Sequence, residues 1–263
     1  MNNEEVRPTA NLVISKSSAS DYLSDSNPNL EKLTTQYYET FSITGRFTGY
    51  FSNISIGDFY NNLSDDCSSP TAILGGLNAT ARKENSEQST ESEKDITNPE
   101  DLTAGTSTIE GKRGTENFGL AIFKDDKFYG DLTAIESMCH LLLQNKVDSC
   151  IISIDNPISE KEMSKIELQL FPRYNSKINV SIENNTPIIY IKLDLHADIV
   201  TLDKDIDYKT NDVLTNISDT AQKYLTEQFN NYLKKVSTEY EVDIDNFCSK
   251  ATSNFLTTNL TLQ

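Results

Sequence analysis

The pattern of apolar and polar positions is sharpest between Ile109 and Pro157. Apolar residues fill Phe118 to Phe123, Lys124-Asp-Asp-Lys127 interrupts them, and Phe128-Tyr129 resumes, which predicts a short hairpin. The period then changes. Thr133 stands three residues before Glu136, the capping-box spacing in which each side chain satisfies a backbone N–H at a helix start. Ile135, Met138, Cys139 and Leu142 follow at helical spacing, so one stripe of this helix is expected to face a core.

Beyond it the pattern alternates. Cys150-Ile-Ile-Ser-Ile154 reads as a buried strand closed by Asn156-Pro157. Ile166, Leu168 and Leu170 alternate with polar residues, as do Ile178, Val180 and Ile182, and Asn184-Asn-Thr-Pro187 is turn chemistry. Ile189, Ile191, Leu193, Leu195, Ala197 and Ile199 alternate with Tyr190, Lys192, Asp194, His196 and Asp198. That run predicts one long strand with a buried face and a wet face. Val213, Leu214, Ile217, Ala221, Tyr224, Leu225, Tyr232, Leu233, Val236 and Tyr240 then hold a single stripe, a long helix lying across the buried face of the sheet. Asp243 caps a last helix carrying Ile244, Phe247, Cys248, Ala251 and Phe255.

The first part of the chain is mostly helical by the same criteria. Leu12 to Ser15 predict a short strand and Ser20-Asp-Tyr-Leu23 a helical turn. Leu30, Leu33, Tyr37, Tyr38 and Phe41 predict an amphipathic helix, with Gly45 as its terminator. Ser55 and Asp58 cap a short helix carrying Phe59, Tyr60 and Leu63, and Ala72 to Leu77 form a brief apolar run. Between Ala81 and Ile96 no apolar residue occurs, so that stretch cannot bury enough surface to offset its ordering entropy. The expected division is a helical region over 1–77, an acidic linker over 78–105 and a C-terminal domain over 106–263. The expected class is α+β, a largely antiparallel sheet packed by a long helix.

Composition narrows the function. Forty acidic residues against 23 basic ones give 263 residues a formal charge of −17. Such a field repels nucleic acid and anionic lipid surfaces as general partners. No window approaches the ~20 apolar residues of a membrane span. The start, Met1-Asn-Asn-Glu-Glu-Val-Arg7, has neither the basic nor the apolar region of a signal peptide. None of the four cysteines has zinc spacing. Cys139 and Cys248 fall on apolar helical stripes and Cys150 opens an apolar strand, so these three read as small buried hydrophobes. Cys67 lies in a polar loop, and no disulfide framework is expected.

Candidate chemistry is sparse. Of the two histidines, His140 adjoins Cys139 on a helix, where neighbours do not share a face. His196 lies between Asp194 and Asp198 on the wet side of its strand, with same-face side chains about 7 Å apart. That grouping can hold a cation weakly or move a proton, although plain exposed alternation accounts for it. Asp203, Asp205 and Asp207 space like the start of a calcium loop, without its glycine and closing glutamate. Neither a nucleotide-binding glycine loop nor a hydrolase or zinc-protease motif occurs. The residues point to no catalysis, no metal and no cofactor.

The stretch Gly119-Leu-Ala-Ile-Phe-Lys-Asp-Asp-Lys-Phe-Tyr-Gly130, with Leu132 and Glu136 after it, resembles the hallmark of the Ger(x)C family. These are the lipoprotein C subunits of spore nutrient germinant receptors. The resemblance continues through the strands, the helix over 211–240 and Tyr240-x-x-Asp243-Ile-Asp-x-Phe247. It also takes in Leu12-Val-Ile-Ser-Lys-Ser-Ser-Ala19, Leu30-Glu-Lys-Leu33, Gly49-Tyr50 and Asp58-Phe59. None of these motifs is catalytic, and their order and spacing carry the specificity.

The resemblance implies a non-enzymatic subunit on the outer face of the spore inner membrane, working with integral-membrane A and B subunits in germination. Family members begin with a signal peptide and a lipidated cysteine and continue to a closing strand, so the chain reads as a fragment whose lipid anchor lies outside it. The wet strand face bearing Tyr190, Lys192, Asp194 and His196 is the candidate partner-facing surface. The alternative expectation is a stand-alone extracytoplasmic solute- or cation-binding module, using a pocket between the domains or the acidic loop at Asp203–Asp207.

Overall fold

Ten residues from Thr115 to Lys124 form the strand on which the two halves of the chain meet. They belong to a computed structural model that describes residues 8–24, 43–78, 102–106, 114–159, 164–184, 186–201 and 208–252. In chain order come β1 (Val13–Ser15), α1 (Ala19–Ser24), α2 (Ile56–Leu63), β2 (Thr71–Leu77), β3 (Thr115–Lys124), β4 (Lys127–Leu132) and α3 (Ala134–Leu143). After them come β5 (Cys150–Asp155), β6 (Lys165–Pro172), β7 (Lys177–Glu183), β8 (Thr186–Lys192), β9 (Leu195–Ile199), α4 (Asn211–Lys234) and α5 (Phe247–Thr252). The class is α+β, as the patterning predicts.

The described strands make three sheets, ordered β1-β2-β3-β4, β5-β6-β9 and β7-β8. The first is built from both halves of the chain. Its β2 comes from the N-terminal region and pairs parallel with β1 and antiparallel with β3. The residues that read as a brief apolar run are therefore a central strand. Continuous apolarity in β2 and β3 follows from burial on both faces. Ile73, Leu120 and Ile122 face the main core, while Ala72, Leu74, Ala121 and Phe123 face a smaller one. Phe59 of α2 closes that second face, its ring edge-on to Phe123 at 5.0 Å. Leu102 and Ala104 are buried there or nearby, their backbones bonded to Ala134 and Phe118.

The helix after the hairpin departs from the expectation of a single apolar stripe. Within α3 every residue except Glu136 is buried, because the first sheet lies on one side and α4 on the other. The predicted capping box is present: Thr133 Oγ1 accepts from Glu136 N at 3.3 Å, and Glu136 Oε2 accepts from Thr133 N at 2.8 Å. Ser55 and Asp58 make the same reciprocal pair at α2. Helical backbone runs over 43–48 and stops at Gly49, φ +74°, rather than at the expected Gly45. The amphipathic helix expected over Leu30 to Phe41 lies outside the described residues, as does Phe255.

One expectation is overturned. The alternating run from Ile189 to Ile199 is not one strand but two, broken at Leu193-Asp194. Its first half pairs with β7, while its second half pairs with β6. The Asp194 carbonyl accepts from Arg173 N at 2.9 Å, which fixes the corner where the chain leaves one sheet for the other. Period two survives the corner, so sequence alternation alone could not reveal it. The long helix does back a sheet: α4 packs against α3 and β5, with Ile217, Ala221 and Tyr232 buried.

Candidate functional site

Two regions concentrate the molecule's polar chemistry: a buried joint near the C-terminus and the projecting β7–β8 hairpin. At the joint, α3 supplies His140, α4 supplies Tyr232, and the segment after α4 supplies Asp243 and Asp245. The Asp245 carboxylate accepts from Tyr232 Oη at 2.6 Å and lies 2.9 Å from His140 Nδ1. All three side chains are buried, Tyr232 completely. Burial, reinforced by the charge and hydrogen bond of Asp245, holds the Tyr232 phenol well above its ordinary value.

Asp243 performs the capping expected of it. Its carboxylate accepts from the backbone N–H groups of Asp245, Phe247 and Cys248 at 2.7–3.2 Å. Burial nevertheless raises its carboxyl above the usual range, the three N–H bonds opposing that effect. The joint therefore fixes three elements around a buried polar centre.

A second tie runs from the end of α4 to the first sheet. The helix continues as a π-helical turn over Lys235–Glu239, whose wider winding carries Tyr240 toward β4. Tyr240 Oη donates to the Asp131 carbonyl at 3.0 Å, and its ring packs over Gly130. A Cβ on Gly130 would lie 2.6 Å from that ring. Gly119, at the other end of the hallmark stretch, has φ +88°, and a Cβ there would sit 2.1 Å from the Leu132 carbonyl oxygen. Lys235 Nζ meets Glu136 Oε2 at 2.7 Å, so the capping carboxylate also holds the distant helix. Burial pulls the Lys235 ammonium down, yet the hydrogen bond and charge of Glu136 outweigh it and keep it above the usual lysine value.

The third tie corrects the reading of the cysteines. Cys67 and Cys248 form a disulfide, with Cα atoms 5.2 Å apart and a sequence separation of 181. Cys248 is thus not a free apolar residue, and the polar-loop position of Cys67 is where the N-terminal region is stapled to α5. Ser69 N donates to the Asp243 carbonyl at 2.8 Å beside it. Only proximity in three dimensions could reveal this pair, since their sequence spacing matches no framework. Cys139 and Cys150 are buried, as expected, and lie outside any disulfide, and burial pushes the Cys150 thiol up to about 12.

The candidate partner-facing residues are divided by the corner at Asp194. Tyr190 and Lys192 lie on β8, both exposed, in the hairpin. Asp194 sits in the break, and His196 lies on β9 in a different sheet. His196 Nε2 pairs with Asp198 Oδ1 at 3.0 Å on the surface. Lys177 and Lys250, which flank the Tyr190–Lys192 end of the hairpin, carried no sequence signal, because nothing in a linear reading joins positions 177, 192 and 250. Asp203 to Asp207 lie outside the described residues. Among the described residues no group of three or more metal-ligating side chains converges, and no helix is long and apolar enough to cross a membrane.

Fold and hallmark residues together define the class: an α+β protein in which two glycines and a capped, fully packed helix seat a long helix against the first sheet. A family model described as "Spore germination B3/ GerAC like, C-terminal" matches residues 118–258, more than half of the chain, and one described as "Spore germination protein N-terminal domain" matches residues 1–77. The chain belongs to this family, the Ger(x)C family of spore germination proteins. A solved structure titled "Crystal Structure of the GerBC protein" is similar with a TM-score of 0.62 at 14% identity, a likeness of fold. The match covers 99% of this chain and 63% of that one, so the chain spans less than two thirds of that protein's length. No curated protein matches.

Proposed function

We propose that this chain serves in a non-enzymatic receptor subunit that acts in nutrient-triggered spore germination through contacts with integral-membrane A and B subunits. In this reading the full-length protein is lipid-anchored on the outer face of the spore inner membrane. Its parts are a region over 1–77, an acidic connection over 78–105 and a domain over 106–263, welded by the shared sheet and the disulfide. The Cys67–Cys248 bridge supports a location outside the reducing cytosol.

The observation that carries the contact surface is the β7–β8 hairpin. Among the described residues it pairs with no third strand, and it exposes Ile182, Ile189 and Tyr190 at 39%, 39% and 54%. Exposed apolar and tyrosine side chains on a two-stranded ribbon are the chemistry of an interface. Tyr190 and Lys192 belong to that surface, and Asp194 and His196 continue it around the corner onto β9. Full-length protein extracted from spore membranes is expected to co-purify with the A and B subunits, and Ile182→Ser with Tyr190→Ala to abolish that while leaving the melting curve in place. Wild-type protein that never associates with either subunit overturns the proposal.

A further inference from the structure

The hairpin also carries a cluster of lysines. Lys177 and Lys192 are register partners, directly opposite each other on β7 and β8. Like charges in that position repel and weaken a strand pair. Asn179 and Tyr190, the partners two residues further along, stand on the same side. Lys250 reaches the same place from α5, which packs on β7. Its ammonium donates to the Asp245 carbonyl at 2.8 Å, so the joint holds it in position. Lys177, Lys192 and Lys250 all line an open cavity of about 700 Å³ that has no acidic residue in its wall.

Elsewhere some lysines are neutralised and others are not, Lys127, Lys146, Lys223 and Lys234 holding no carboxylate among the described residues. Lys16, Lys124, Lys165 and Lys235 each hold a carboxylate at 2.7–3.3 Å. Among the described residues neither Lys177 nor Lys192 has one. The chain's net charge of −17 does not cancel this local excess, since charges beyond about 8 Å are largely screened at physiological salt. We propose that this cavity is a binding site for a phosphate group, with Lys177, Lys192 and Lys250 facing its charge and Tyr190 and Asn179 supplying neutral hydrogen bonds. A phosphate monoester carries about −1.5 to −2 charges and three strong acceptor oxygens, which suits three point charges lining one cavity better than a single carboxylate does. The phosphate belongs either to a free ester or to a lipid headgroup, and the site does not depend on the A and B subunits.

The test titrates the disulfide-bonded chain with inorganic phosphate against chloride at matched ionic strength, by calorimetry and by thermal shift. A parallel arm uses vesicles of phosphatidic acid, whose headgroup is a phosphate monoester, with phosphatidylcholine against phosphatidylcholine alone. Saturable binding of phosphate is expected, weakened about tenfold or more in Lys192→Glu and in Lys177→Gln. Because Lys192→Glu converts a repelling cross-strand pair into an attracting one, its unfolding midpoint in chloride should equal or exceed that of the wild type. Binding to anionic vesicles alone, lost in the same variants, assigns the phosphate to a lipid headgroup. Equal responses to phosphate and chloride with no vesicle preference, or binding undiminished in both variants, overturn the site.

Discussion

Tyr232 shows how much one side chain can do without leaving a mark in the sequence. Its position fits the apolar stripe of α4, and its ring is wholly buried as that stripe predicts. Its hydroxyl, however, is tied to a carboxylate that lies 13 residues on, in a segment with no helical phase relation to it. Glu136 is the opposite case. The Thr133–Glu136 spacing was enough to identify the cap, since capping is decided within four residues, but its second bond to Lys235 spans 99 positions. Tyr232→Phe is expected to cost about 1.5–3 kcal/mol, the worth of a hydrogen bond to a charged group. Urea unfolding would register this as a lower midpoint with an unchanged slope, and a loss below about 0.5 kcal/mol would refute the joint's role.

Among elements, the hallmark hairpin and the π-helical turn explain each other. Gly130 is required because Tyr240 lies across it, and Tyr240 arrives there because the turn over Lys235–Glu239 shifts the helix's phase. Gly130→Ala should push that ring away, break its bond to the Asp131 carbonyl and cost about 1–3 kcal/mol as an overpacked contact. Tyr240→Ala in the same chain should relieve most of that cost, so a double-mutant cycle measures the coupling; additive losses would disprove it. The hairpin, the caps and the long helix were legible because each depends on local spacing. The break at Leu193-Asp194 was not, because both halves of the run keep one alternation while taking different partners. All-round burial of α3 was equally hidden: its apolar stripe was visible, but that His140 and Ser137 are also enclosed depends on what packs over them.

For the whole molecule, the decisive links are those that cross between the N-terminal region and the rest. Arg46 meets Asp148 at 2.8 Å, Gly119 N donates to the Tyr50 carbonyl at 3.0 Å, β2 pairs with β3, and Cys67 is bonded to Cys248. Closing a loop that long restricts the unfolded chain, and its removal is expected to cost about 2–5 kcal/mol. Cys67→Ser with Cys248→Ser should therefore melt several degrees lower than the oxidised wild type and not respond to reductant. Thiol titration offers a sharper check. Native protein should show no reactive thiol, because Cys150 is buried with a pKa of about 12 and Cys139 is also enclosed. Denatured, unreduced protein should show two, and four would mean that the bridge does not form.

The sequence by itself determined what depends on neighbours along the chain: the α+β class, the two capping boxes, the Asp243 cap, the alternation of strands and the family's hallmark order. Those features follow from dihedral preference, side-chain period and hydrogen bonds closed within a few residues. Only the tertiary structure decided which strands share a sheet, where the alternating run turns a corner, which cysteines meet and which three lysines line one cavity. Such outcomes depend on distances between residues far apart in the chain, and a side chain's own identity carries no information about the partner that folding brings to it.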